Sequence, residues 1–167
     1  MKLLILTQYF PPEIGAPQNR LYELALRLQK NGIDVSVLTA MPNYPQMKIH
    51  ENYKGKCYCR ETLNELKIHR AWIYVSQSKS IISRLLNYFS FVITAFFVGA
   101  FKLKKQDVLM VESPPLFLGI TAYLLAKLKG ARVIVAGRNE IKLKLAEEFA
   151  HADEIVDLKK YPNPEAI

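Results

Sequence analysis

Residues 2 to 39 constrain the fold of this chain more than any other stretch. Lys2 to Thr7 (KLLILT) is a short apolar run, and Gln8 to Gln18 (QYFPPEIGAPQ) follows with three prolines and one glycine. Asn19 to Lys30 (NRLYELALRLQK) repeats apolar residues at helical spacing, at Leu21, Leu24, Ala25 and Leu28, with Arg20, Glu23 and Arg27 on the polar side. Asn31-Gly32 stops that helix, and Ile33 to Thr39 (IDVSVLT) is a second apolar run. Strand, loop, amphipathic helix, glycine stop and strand make one β-α-β unit, and a right-handed crossover sets its two strands parallel. In such sheets ligands sit beyond the carboxyl ends of the strands, against helix N-termini. The loop from Gln8 to Gln18 is therefore the first place to look for function.

That loop departs from the dinucleotide fingerprint, which wants three glycines where only Gly15 is present. Tyr9-Phe10-Pro11-Pro12 reads as stiff and extended, because proline fixes its own φ and restricts the residue before it. Gly15 lets a ligand approach the backbone. A second loop, Ala40 to Tyr53, leaves strand two on the same side. Its Asn43 and Tyr44 offer donors, acceptors and a ring suited to sugar or nucleotide contact, or belong to an ordered surface loop. Lys56 to Glu61 and Glu65 to Tyr74 read as a hairpin about Thr62-Leu63-Asn64. Asp107 to Glu112 is a further strand, ending in Ser113-Pro114-Pro115. Glu112 and Ser113 would face the same cleft as Gly15 and Asn43. A helix over Leu116 to Leu128 closes at Lys129-Gly130. Beyond it, Ala131 to Val135, Glu140 to Ala150 and Glu154 to Val156 read as strand, helix and strand. The expected architecture is a single α/β domain over residues 1–167. It is Rossmann-like and three-layered, with a mostly parallel sheet and a β-hairpin insertion.

The charge balance is basic, 23 Lys and Arg against 15 Asp and Glu. That suits an anionic partner, and without a nucleic-acid-binding motif a nucleotide or a phospholipid surface fits better than RNA or DNA. Cys57 and Cys59 lack a second Cys/His pair, so no metal is expected, and they read as reduced thiols of a cytoplasmic protein. Between Arg84 and Lys102 lie 17 uncharged residues, LLNYFSFVITAFFVGAF, apolar on every side of a helix. This is a little short for a membrane span. It reads either as a helix buried between the sheet and another domain, or as an interfacial helix over residues 79–105. In the second case Phe96 and Phe97 make the membrane contact, and Arg84, Lys102, Lys104 and Lys105 hold the helix. An exposed helix of this kind would serve a homodimer equally well.

The stretch QYFPPEIGAPQNRLYELALRLQKNGIDVSVLTAMPNYP resembles the start of family 4 glycosyltransferases of the GT-B type, of the WbuB-like bacterial surface-polysaccharide kind. The shared pattern is strand, FPP-x-x-G-A/G loop, R-x-x-x-L-A-x-x-L helix, Asn-Gly turn, V-x-V-L-T strand and a Pro-Asn-Tyr-Pro loop. Similar wording continues through Arg70-Ala71-Trp72-Ile73-Tyr74 and Glu112-Ser113-Pro114-Pro115, covering residues 1 to about 130. The resemblance implies the N-terminal, acceptor-side half of a GT-B fold. It implies a nucleotide-sugar donor, a lipid-linked sugar acceptor and no other cofactor, at the inner face of the plasma membrane. Gly15 and Arg20 would help to hold the leaving diphosphate, with Asn19, Asn43, Tyr44, Glu112 and Ser113 at sugar or acceptor. The residues that carry the chemistry are not assigned. The donor-binding domain of such enzymes is expected elsewhere, so the chain by itself should turn over little.

From residue 131 the wording changes. ARVIVAGRNEIKLKLAEEFAHADEIVD is similar to the nucleotide-binding half of medium-chain zinc-dependent alcohol dehydrogenases, where the position of Arg138 meets the 2′-phosphate of NADP. The glycine fingerprint that should precede it is missing, and Ser113 to Gly119 stands in its place. Two further readings stay open: an NADP-binding module, and a non-catalytic hybrid or truncated product of two Rossmann-like parts.

Overall fold

A computed structural model of the chain describes residues 1–78, 80–111, 117–137, 140–148, 153–157 and 159–160. Glu112, Ser113 and Arg138, named above, lie outside the described residues. The chain runs β1 (Lys2–Leu6), α1 (Ala16–Lys30), β2 (Asp34–Ala40), a 3-10 turn (Glu51–Tyr53), β3 (Tyr58–Leu63), β4 (Leu66–Ala71), α2 (Ile81–Lys102), β5 (Val108–Val111), α3 (Leu118–Lys129), β6 (Arg132–Gly137), α4 (Glu140–Glu148) and β7 (Glu154–Asp157). The strands form a seven-stranded sheet in the order β3-β4-β2-β1-β5-β6-β7. Every pairing is parallel except β3 with β4. The expected α/β class with a mostly parallel sheet is what forms.

The sheet is wound in both directions from β1, which pairs Leu3 with Val35 of β2 on one side and with Val108 of β5 on the other. The order therefore reverses between β1 and β5, and the crevice beyond their carboxyl ends is the place where such sheets bind ligands. Burial on both faces explains why β1 and β2 read as unbroken apolar runs. The pleat sends Leu3 and Ile5 to the α1 side with Val35, Val37, Leu21 and Ala25. It sends Leu4 and Leu6 to the other side with Phe91, Ala95, Leu118 and Leu125 of α2 and α3.

Some boundaries move, each for a local reason. Helix α1 starts three residues earlier than the periodicity suggests, because Pro17 occupies its first turn, where a missing N–H costs nothing. The hairpin turns on Asn64 and Glu65, both with positive φ (47° and 69°), so the strands end at Leu63 and restart at Leu66. The hairpin is an insertion only in part, since β4 pairs parallel with β2 and β3 alone extends the edge. Helix α2 begins after Ser80, whose hydroxyl accepts from Ser83 N at 3.1 Å. Helix α3 ends at Gly130 in the left-handed conformation, φ 65°.

Candidate functional site

Two loops meet beyond the carboxyl ends of β1 and β2. The strands stay paired past their ends, with Thr7 N donating to Leu38 O at 3.1 Å and Ala40 N to Gln8 O at 3.3 Å. The next residues are then tied by one carboxylate. Glu13 is only 2% exposed. Its Oε1 accepts from the backbone N–H of Asn43 (2.7 Å) and Tyr44 (2.8 Å), and its Oε2 from that of Phe10 (3.3 Å). Burial pushes this carboxyl above its ordinary range, while the three N–H donors and the nearby Arg70 pull it back.

Arg70 is the second tie, and no part of it is exposed. Its Nε donates to Glu61 Oε1 at 2.5 Å, its Nη1 to Ala40 O at 3.3 Å and its Nη2 to Pro11 O. The Tyr53 ring lies 5.3 Å from the guanidinium carbon, and the Tyr53 hydroxyl donates to Glu61 Oε2 at 2.9 Å. One planar cation thus joins the first loop, the end of β2, the edge strand and the 3-10 turn, which the fork geometry of arginine permits and lysine would not.

On this frame the loops present an aromatic pair and a cavity. The rings of Tyr9 and Tyr44 meet edge to face at 5.9 Å, and Tyr44 is 42% exposed. Burial, with Tyr88, Glu13 and Tyr44 close by, pushes the Tyr9 hydroxyl up to about 12, so it stays neutral and offers a hydrogen bond rather than a charge. Tyr9 lines a cavity of about 370 Å³ together with Ser76, Ser83, Arg84, Asn87 and Tyr88. Among the described residues no carboxylate lines that cavity; its side chains are hydroxyls, amides, rings, Met47 and one guanidinium. Asn87 fixes the wall, accepting from Gln8 Nε2 at 2.9 Å and donating to Tyr74 O at 2.6 Å.

Beside the loop, the N-terminus of α1 has Gly15 as its cap, no capping side chain and no acidic residue in its first turn. Its outward amides favour an anion. A Cβ at Gly15 would stand 2.4 Å from Oε1 of the buried Gln18, so any larger residue there must displace the Gln18 amide.

The residues expected at the site are thus distributed unequally. Asn43 and Tyr44 come together on Glu13, and Gly15 caps α1 two residues further along the chain. Asn19 and Arg20 are exposed in the first turns of α1. Asn43 is fully buried, its Nδ2 donating to Met41 O at 2.9 Å, so it shapes the loop from beneath while Tyr44 faces outward. Glu13, Arg70, Tyr9 and Asn87 were not singled out in the sequence. No group of three or more His, Cys, Asp or Glu side chains that would hold a metal occurs among the described residues. His69 is a strand-face histidine, its Nδ1 2.8 Å from the Tyr58 hydroxyl.

The long apolar helix is covered on one side only. One side of α2 packs on the sheet through Phe91, Ala95 and Val98, and the other stays outside. Phe97 is 54% exposed, whereas Phe96 is half-buried against the core. Arg84, Lys102 and Lys104 are exposed.

The fold is α/β and Rossmann-like, similar to part of a GT-B glycosyltransferase catalytic domain. It aligns with the catalytic domain of starch synthase IV from Arabidopsis thaliana, solved with ADP and acarbose, at a TM-score of 0.54 and 15% identity, over 82% of this chain and 34% of that one. In sequence the chain is 35% identical over 136 residues to a protein named as a colanic acid biosynthesis glycosyl transferase, WcaI, of Escherichia coli K12. That match takes in 81% of this chain and 33% of the relative, so the chain spans about a third of the length of the protein it matches. No protein-family model matches the chain.

Proposed function

We propose that this chain is the acceptor-side half of a nucleotide-sugar-dependent glycosyltransferase of surface-polysaccharide biosynthesis. The observation that carries the reading is the 35% identity with WcaI over 136 residues, in a chain whose first two loops meet beyond the carboxyl ends of β1 and β2 in a doubly wound sheet. In this reading the cavity beside Tyr9 takes the acceptor sugar, with Tyr44 and Tyr88 as rings to stack on and Asn87, Ser83 and Arg84 as polar partners. The uncapped N-terminus of α1, with Gly15, Asn19 and Arg20, faces the diphosphate that leaves the donor, where fixed dipoles stabilise developing charge without a metal. Glu112 and Ser113, next in sequence after β5, are assigned to the sugar. The acceptor is lipid-linked, and the enzyme works at the cytoplasmic face of the membrane. The donor-binding half, on this reading, lies outside these residues. The likeness of the tail to alcohol dehydrogenases has no counterpart in either match, and its key residue, Arg138, lies outside the described residues.

The test is a two-part reconstitution. The chain is mixed with a separately produced donor-binding domain of the relative, and transfer from radiolabelled nucleotide sugars to membrane lipid extracts is followed. In parallel, backbone amide shifts of the labelled chain are recorded with uridine diphosphate. Transfer that needs both parts, with shifts at Gly15, Ala16 and Gln18 that Gly15→Ala removes, is the expected result. No transfer with any donor and no shift at α1 would refute it.

A further inference from the structure

Helix α2 is packed inside out for a surface facing water. Against the sheet it places Ser83, Asn87, Ala95 and Gly99 beside Phe91 and Val98. Outward it presents Leu85, Phe89, Ile93, Phe97 and Phe101, one row at four-residue spacing, each exposed. Only 28% of its most apolar window is buried, whereas a core helix would be covered all round. Helix α3 repeats the arrangement with Ile120, Leu124 and Leu128 exposed. The two helices run side by side in the same direction. Phe89 meets Phe117 at 4.7 Å, Thr121 Oγ1 donates to Val92 O at 2.9 Å, and Lys129 Nζ donates to Ala100 O and Leu103 O, both at 2.7 Å. Gly99 lets them close up, since a Cβ there would lie 2.6 Å from Leu125 Cδ1. The two outward rows therefore belong to one apolar face, far more than scattered exposed residues account for.

Charge selects the occupant. Neither α2 nor α3 contains Asp or Glu. Lys102, Lys104, Lys105 and Lys127 are exposed where both helices end, and Arg84 is exposed at the start of α2. A second copy of the chain would bring apolar face to apolar face but lysine to lysine. An anionic lipid surface satisfies both parts at once. A spanning helix is excluded, because Phe91, Ala95 and Val98 belong to the core of the sheet.

We propose that the α2–α3 face rests on an anionic phospholipid surface, with the rows of Phe97 and Leu124 among the acyl chains and the lysines at the helix ends among the headgroups. The face stands on packing and charge alone. It deepens the transferase reading by placing Arg84, and with it the acceptor cavity, at the level of the headgroups.

The test uses the full chain and vesicles of phosphatidylglycerol with phosphatidylcholine, against phosphatidylcholine alone, over a salt series. Neither vesicle contains a sugar acceptor, so the outcome is independent of whether the chain takes part in transfer. Expected are co-sedimentation with the anionic vesicles that weakens as salt rises, and a loss of at least about tenfold in F97S/F101S. For K104Q/K105Q the expected loss is about fivefold per lysine. Ile141→Ser, on exposed α4, should change nothing. Equal far-UV circular dichroism of all variants shows that they fold. A chain that stays in the supernatant, or F97S/F101S binding as tightly as wild type, overturns the proposal. So does a vesicle-free dimer that F97S/F101S dissociates, because the second copy is then the occupant.

Discussion

Arg70→Met should cost about 3 kcal/mol of stability, and the structure shows where that comes from. Methionine keeps most of the apolar stem and removes a guanidinium with no exposed surface. Breaking a buried ion pair costs about 3–5 kcal/mol when the remaining charge is sealed in. Here Glu61 keeps 28% side-chain exposure, so water can replace one lost donor, which places the cost at the low end. The carbonyls of Pro11 and Ala40 lose a donor in a buried setting, and each contributes on the order of 1 kcal/mol to that sum. For a chain of this size 1 kcal/mol moves the midpoint by about 2–4 °C, so Tm should fall by about 6–12 °C. Thermal unfolding followed by circular dichroism gives the total. The emission of Trp72, the single tryptophan, gives the local effect, because Trp72 lines a small cavity with Met41, Ile49 and Tyr53 of the second loop. Arg70→Lys should fall between the two, since one ammonium cannot span three acceptors. A shift in Tm under about 2 °C for Arg70→Met, or a lysine variant equal to wild type, would show that the two loops are not held by this residue.

Two further outcomes follow from the packing and the charges. Gly99→Ala should destabilise by about 1–3 kcal/mol although alanine is the better helix former, because its methyl meets Leu125, and denaturant titration of the double variant with Leu125→Ala should recover most of that loss. Burial, with Arg60 and Lys67 nearby, lowers His69 to about 4. The unfolded chain then binds the proton more tightly, so this residue's share of stability is complete above about pH 6.5 and disappears as pH falls toward 4. His69→Phe should flatten that limb of the acid-unfolding curve, and a wild-type imidazole titrating near 6.5 by NMR would contradict it.

The β-α-β unit was legible because its signals are local: helical spacing from Leu21 to Leu28, the stop at Asn31-Gly32, and runs too apolar for a one-sided strand. The place of the candidate site follows from the same local signals, since loops at the carboxyl ends of parallel strands share one side of the sheet. The brace was not. Glu13 and Asn43 are 30 residues apart, and Arg70 and Pro11 are 59 apart. A lone carboxylate in a proline-rich loop carries no mark of what it will bond. Asn43 was legible as polar but not as buried, which follows from Glu13 drawing its backbone inward. In α2 the apolar residues surround the helix, so no period says which side faces the sheet. That is decided by the packing of Phe91, Ala95 and Val98 on Leu4, Leu6 and Leu38, contacts visible only in three dimensions.

The central place of β1 also sets when the crevice comes into being. Lys2 N donates to Asp107 Oδ2 across 105 residues of sequence, and Asp107 N donates back to Lys2 O. During translation β1 and β2 leave the ribosome together, whereas β5 follows only after the hairpin and α2. Until then β1 has one free edge and no wall on its far side, an invitation to pair with another chain. The switch point thus comes into existence only after β1 to β4 are complete. Any fragment that stops short of Val108 would carry both loops and the brace that ties them, yet have an open strand where the binding crevice belongs.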